Sequence, residues 1–244
     1  MLNKEDLVTN VYTNITPTKN SQYMLRDMKR AYTNFGSLFR KISEITNVPE
    51  SIIFCFAMVE DGTNMANGKT AGFVNEKTGQ IRRFIGIMQF GYSYADDTLI
   101  NNIPTYNQKE RLFIADNFGL VGDAIAKNDK EKIDVYKKII RTPSKELFTR
   151  QELAKSPANI FIGTQMLITF LNKPYAIVGN DVLMERVIVA YNSGPGAVVT
   201  TGASKQTTKE ILNNPKVSPE SKKYIRDFLG NGGYLDLWNL HFEK

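Results

Sequence analysis

The sequence predicts a mainly α-helical protein, and three observations carry that prediction. Met24, Met28, Ala31, Phe35, Leu38, Ile42 and Ile45 recur at alternating steps of four and three, which lines them along one face of a helix ending near Asn47. The run from 52 to 59 is almost wholly aliphatic or aromatic, and it follows Pro49-Glu50, a first-turn proline with an acid near the positive end of the helix dipole. Ser156-Pro157 and Ser218-Pro219 each place an N-cap residue and a first-turn proline ahead of a helical run.

Taken in order, residues 1–20 are rich in Thr and Asn and broken by Pro17, so they read as a loosely attached polar arm. The helix that follows Pro49 is apolar on nearly every face and is therefore expected at the centre, with Asp61-Gly62-Thr63-Asn64 ending it. The turn-like stretch from Asn75 to Gly79, between Val74 and Ile81, predicts a short β-hairpin within 73–84. Residues 86–99 resume helical character, and 104–155 contain charged helical pieces, among them 130–141 and 144–155. An apolar helix is expected from Ser156 through Asn159, Gly163 and Leu167 to Leu171, another capped by Asp181 through Val187 to Ala190, and a last from Ser218 to Gly230. The expected organisation is an arm over 1–20, a helical domain over 21–200 with an insertion over about 104–155, and a C-terminal helical extension and tail over 201–244.

Composition narrows the chemistry. With 244 residues and 42% hydrophobic content the chain can bury one substantial core, and its longest apolar run falls far short of the roughly 20 residues a membrane span needs. The first residues carry early acids and no apolar core of the signal-peptide kind, so no cleaved leader is expected. Cys55, the only cysteine, lies inside the apolar run and reads as a small buried side chain; an intramolecular disulfide and a cysteine-rich metal site are excluded. His241 is the only histidine, which removes Ser-His-Asp and Cys-His centres and histidine-based zinc sites. Chemistry must then run on carboxylates, amides, hydroxyls and phenols. The net charge of +6 suits polyanionic surroundings or ordinary solubility equally, and no basic run interleaved with aromatics suggests a nucleic-acid groove.

Glu60 ends the apolar run, where a carboxylate is costly to desolvate without a partner or a purpose. Burial raises a carboxyl pKa, which keeps the proton available for donation to a leaving oxygen near neutral pH. The competing interpretation is a solvated end of a core helix. What favours the acid is a succession of segments: Pro49-Glu50-Ser51-Ile52 leading to Glu60, then Gly86-Ile87-Met88-Gln89-Phe90, then Asn159 with Gly163, then Ala190-Tyr191-Asn192-Ser193-Gly194-Pro195-Gly196-Ala197-Val198. In this order the segments resemble the catalytic domain of the soluble lytic transglycosylases related to goose-type lysozyme. That resemblance implies a lysozyme-like helical fold with a small β-hairpin near the active-site cleft.

It also implies a role at each matching position. Glu60 falls at the general acid, Gly86 would permit close backbone approach near the cleft, and Met88 would line the cleft floor, with core packing as the alternative. Gln89 would offer a sugar both a donor and an acceptor. Tyr191 would present its ring to a sugar and its hydroxyl to an acetamido group or to Glu60, while Asn192 would hold the turn or bind substrate. Residues 193–196 read as a helix-ending turn, and Asn159 and Gly163 as packing and hydrogen-bonding elements. Three features are particular to this chain: Asp61 where the family commonly has serine, Arg82-Arg83-Phe84-Ile85 before Gly86, and a long stretch between Gln89 and Asn159.

The activity implied is cleavage of the β-1,4 bond between N-acetylmuramic acid and N-acetylglucosamine in peptidoglycan glycan strands, leaving a 1,6-anhydromuramic end, with no metal or organic cofactor. Goose-type hydrolases tend to carry an acid just after the Met-Gln step, where Phe90 and Gly91 stand here. With no base for water, the muramic C6 hydroxyl can attack inside the cleft. Two alternatives remain open. A hydrolytic lysozyme would need Asp61, Asp96 or Asp97 to activate water; a structural phage-tail or secretion-channel component would keep the fold without activity. The expected setting is a phage-encoded protein carried in the virion or released at lysis, with tail or secretion-apparatus proteins as further partners.

Overall fold

The computed structural model describes residues 11–70, 80, 84–142, 145–179 and 181–243, and it is mainly helical. Helix α1 (Ser21–Thr46) begins at Asn20, whose side chain accepts the Gln22 N–H, and stops at Asn47, which adopts the left-handed conformation at φ 58°. Its stripe buries Met24, Met28, Ala31 and Ile42 as the spacing predicts. It packs along α2 (Glu50–Ala66), in which every side chain from Ile52 to Met58 is buried. The C-terminal helix α13 (Tyr234–His241) closes over this pair, its Trp238 ring 5.3 Å from Phe54 and 5.5 Å from Tyr32. Each such large apolar side chain, fully buried, contributes about 1.5–3 kcal/mol.

Helix α2 does not end at Asp61. It continues to Ala66 across a kink at that residue, which lies outside the helical region at φ −139°, ψ 24°. The Asp61 carboxylate accepts the Asn64 side-chain amide at 2.5 Å, tying the second half of the helix to the kink.

The hairpin expected around Asn75 to Gly79 lies outside the described residues. A hairpin is present one step later: β1 (Phe84–Ile85) pairs antiparallel with β2 (Phe90–Gly91), Ile85 opposite Phe90, around a turn of residues 86–89. The helical character expected from Gly86 therefore starts only with α3 (Tyr92–Asn101). Both ends of the turn are left-handed, Gly86 at φ 70° and Gln89 at φ 45°, a conformation a helix cannot include.

The segment after α3 folds as α4 (Gln108–Asn117), α5 (Gly119–Ala126), α6 (Lys130–Ile140) and the short α7 (Arg150–Leu153). A helix over 144–155 is thus reduced to four residues, entered through a Thr149/Glu152 capping box. This layer joins the core through α8 (Ser156–Leu171), whose Phe161 ring lies 5.1 Å from Phe113 and 6.1 Å from Phe118. Asp181, read as a helix cap, instead belongs to β4 (Asp181–Val182), which pairs with β3 (Ile177–Val178); α9 (Met184–Ser193) starts beyond it.

After α9 come α10 (Pro195–Thr200), α11 (Thr208–Asn213) and α12 (Pro219–Leu229), the last bounded by Ser218 and Gly230 as the sequence predicts. Helix α12 packs on both α2 and α9, so the C-terminal segment completes the core. Residues 11–20 are also tied down: Tyr12 bridges to Gly230, Ile15 is buried, and Thr18 donates its N–H and hydroxyl to Asp227 at 2.6 and 2.7 Å. Among the described residues no helix is long and apolar enough to cross a membrane.

Candidate functional site

Four segments distant in sequence meet around the 86–89 turn. Asn159, fully buried on α8, accepts the Met88 N–H at 2.8 Å and donates to the carbonyls of Ile85 and Leu153 at 3.1 and 3.0 Å. One amide thereby satisfies backbone groups that the turn cannot pair internally. Gly86 has its physical reason here, since a Cβ on it would collide with the Asn159 side chain. The close approach it permits here is that of the Asn159 side chain. One helical turn on, a Cβ at Gly163 would lie 2.5 Å from Met88 Cβ, so the glycine makes the socket for that side chain. Met88 is fully buried and lines none of the cavities found among the described residues, which fits the packing alternative.

Tyr191, on α9, donates its hydroxyl to the Met88 carbonyl at 2.7 Å, which makes it the fourth member of this knot. The hydroxyl is therefore engaged with the turn and not with Glu60. Its ring packs 5.4 Å from Phe56, one turn before Glu60 on α2, and burial together with the nearby Glu60 charge pushes its pKa well up. Gln89 donates its Nε2 to the Gly86 carbonyl at 2.5 Å. Its Oε1 has no protein partner among the described residues. Gln89, Tyr191 and Asn192 line one cavity of about 280 Å³ with Phe84, Tyr94 and Phe170. Phe84 and Tyr94 are exposed at 45% and 53%. Asn192 also accepts hydroxyls from Ser221, Ser193 and Ser218 at 2.8, 3.1 and 3.3 Å, so its carbonyl ties the end of α9 to the start of α12.

Glu60 retains partial solvent access as a residue, while its carboxyl group is surrounded by protein. Its pKa is raised to about 8: burial is the main cause, the charges of Glu220 and Asp61 add to the rise, and Tyr224, whose hydroxyl donates to Oε2 at 3.1 Å, holds it down. The contact comes from antiparallel packing of α2 against α12, in which Tyr224 meets Glu60 and Phe228 meets Phe56 at 4.9 Å between rings. The Tyr224 hydroxyl also lies 3.4 Å from Glu220 Oε1. It has one proton to give. With Glu60 protonated, it can accept from Glu60 and turn its own hydrogen toward Glu220.

Sequence reasoning missed Tyr224 and Glu220. The available signal was the buried spacing Ser221, Ile225, Phe228, which places Tyr224 beside the inward face of α12. The carboxylates considered for activating water separate. Asp61 is buried beside Glu60. Asp96 accepts the Leu147 N–H at 2.7 Å on the other layer, its pKa raised by burial to about 6, and Asp97 is exposed. Among the described residues no group of three or more His, Cys, Asp or Glu side chains is placed to hold a metal ion.

Compared with known proteins, the chain matches no family model, no curated protein and no solved structure. The functional reading rests on the arrangement itself. Glu60 does not itself line the aromatic cavity, and Tyr191, whose pKa its charge raises, does; a carboxyl with so raised a pKa, bonded by a phenol, can donate a proton to an ether or glycosidic oxygen and take one back.

Proposed function

We propose that this protein is a peptidoglycan lytic transglycosylase on a lysozyme-like helical fold. It cleaves the β-1,4 bond between N-acetylmuramic acid and N-acetylglucosamine and leaves a 1,6-anhydromuramic end. The observation that carries this reading is the Glu60 carboxyl, crowded by protein and held by Tyr224, set beside the knot formed by the motif residues Gly86, Met88, Gln89, Asn159 and Tyr191. Those residues were singled out by resemblance alone, and they support the reading by converging in space. Glu60 gives its proton to the departing oxygen, then as carboxylate takes the proton of the muramic C6 hydroxyl as that oxygen closes on C1. A held intramolecular nucleophile reaches an effective molarity of about 10⁵ M or more, enough to outcompete water. Gln89 Oε1 and the Tyr94 ring serve as acceptor and stacking surface for neighbouring sugars.

A hydrolytic muramidase is the second reading, and one observation favours it: Glu220 shares the Tyr224 hydroxyl with Glu60, which places a second carboxylate near the acid. Digestion of purified peptidoglycan with mass analysis of the muropeptides separates the two. Fragments lighter by one water than hydrated ones are expected; mainly reducing, hydrated ends would replace the transglycosylase by the hydrolase, and no cleavage would sink both. The expected setting is the cell wall, with a phage virion or secretion apparatus as carrier; mass spectrometry of purified particles tests it.

A further inference from the structure

Arg226 lies two residues beyond Tyr224 on α12, about 200° around the helix, and so faces away from Glu60. There it lines a cavity of about 650 Å³, walled on one side by residues 11–15 and on the other by residues 207–213. The charge of this cavity is one-sided. Arg226 and Lys209 are both in the lining, and no lining residue is acidic. Two acids touch lining residues from outside the cavity: Glu185 behind the wall, to which Tyr12 donates at 3.3 Å and Thr208 at 2.9 Å, and the exposed Glu210, which accepts from Thr207 at 2.7 Å.

The lining residues divide by how they are satisfied. Tyr12 and Thr208 are engaged by Glu185, and Thr207 by the Glu210 cap. Arg226, Lys209, Asn14 and Asn213 make no side-chain hydrogen bond or ion pair among the described residues. Arg226 is nonetheless half-buried, a position in which a guanidinium without an acceptor forgoes its charge-assisted bonds. Ile15 and Leu212 supply an apolar surface beside these donors.

We propose that this cavity binds a small ligand bearing one carboxylate and further hydrogen-bonding groups, of dipeptide or monosaccharide size. The volume falls within the range of roughly 300–1,000 Å³ of small-molecule sites. Arg226 takes the carboxylate in two parallel N–H···O bonds, a geometry its planar fork suits, and Lys209 adds charge at the exposed rim. The Asn14 and Asn213 amides pair with the neutral polar groups. The carboxylate of Glu185 behind the wall favours a singly charged ligand over a phosphate dianion, because a second negative charge on the ligand would be repelled by it. Two sources share this chemistry, the C-terminal carboxylate of a short peptide and the carboxylate of an acidic sugar.

Calorimetric titration of the full chain with D-alanyl-D-alanine, N-acetylmuramic acid and inorganic phosphate tests the proposal independently of any cleavage. Saturable binding of at least one of the two carboxylates is expected, tighter than about 1 mM, and which one binds identifies the source. Arg226→Gln is expected to weaken it at least about 10-fold, the effect of losing a charged hydrogen bond. Lys209→Gln, at an exposed position that does not threaten the fold, is expected to weaken it by a smaller factor. Absence of saturation with both carboxylates, tighter binding of phosphate than of either, or an affinity unchanged in Lys209→Gln and in folded Arg226→Gln would each overturn the site.

Discussion

Glu60 and Glu110 are both glutamates in a helical interior, and they are held in opposite ways. As a whole residue Glu110 is the less exposed, at 5%, while the Glu60 carboxyl is the more tightly crowded by protein; both oxygens of Glu110 are engaged, Oε2 accepting the Asn107 N–H and Oε1 the Gln165 amide, each at 2.7 Å, with Arg111 next in sequence. Burial raises its pKa, and these donors and the Arg111 charge hold the rise down. Glu60 has one donor, the Tyr224 hydroxyl, and two like charges for neighbours, and it is pushed up to about 8. Asp96 falls between them: one oxygen accepts the Leu147 N–H, the other is buried without a hydrogen-bond partner, and its pKa is raised to about 6. How closely protein crowds the carboxylate and how many donors are aimed at it together set how far its pKa rises.

The largest effect that can break this comparison is on activity. Glu60→Gln keeps the shape and deletes the transferable proton, so turnover on peptidoglycan is expected to fall by roughly 10²–10⁴. A purified variant that kept a tenth of wild-type turnover would exclude Glu60 as the acid. The same substitution has the opposite effect on the fold. A carboxyl raised from an ordinary 4.5 to about 8 contributes stability that is fully present below 4.5 and is lost as pH rises through 8. Thermal melts at pH 9 are therefore expected to show Glu60→Gln above the wild type, with the difference closing in acid.

Glu110→Ala should do the reverse. It leaves the Asn107 N–H and the Gln165 amide without their acceptor, at a cost of about 1–3 kcal/mol, and it lowers the Tm by roughly 2–4 °C per kcal/mol. Activity per folded molecule should stay near wild type; a large loss would mean that the two carboxyls are not the different kinds of group described.

The smallest and most diagnostic change is Tyr224→Phe. Because the hydroxyl favours the carboxylate of Glu60, its removal is expected to raise that pKa further and move the alkaline limb of the rate profile above pH 8. A limb that stays in place or moves down would show that Tyr224 does not set the acid. In the variant the carboxyl also loses the phenol as a proton partner, so some loss of kcat should accompany the shift.

Much of the helical frame was legible because it depends on local repetition. The four-and-three stripe of α1, the unbroken apolar run of α2, and the Ser-Pro and Gly boundaries of α12 are each properties of neighbouring residues. Expectations failed where a remote side chain decided the backbone. The 86–89 turn looked helical by composition, but Asn159, 71 positions from Met88, takes its backbone groups and holds it left-handed at both ends. Asp181 resembled a cap by residue type, and strand pairing with Val178 claimed it.

The candidate site divides in the same way. Sequence by itself singled out residues that the fold then packs around one turn and beside it: the carboxylate at the end of an apolar helix, the glycines, the amide on α8 and the tyrosine after Ala190. Their types and spacings are local facts. Only the tertiary structure decided what each one does. Met88 is buried in the Gly163 socket, the Tyr191 hydroxyl is turned to a backbone carbonyl, and the partner of Glu60 is Tyr224, 164 residues away on α12. The reason is that a pKa and a hydrogen-bond partner are set by which groups lie within a few ångströms, and in this chain those groups come from helices far apart in sequence, which only the packing of α2, α8, α9 and α12 brings together.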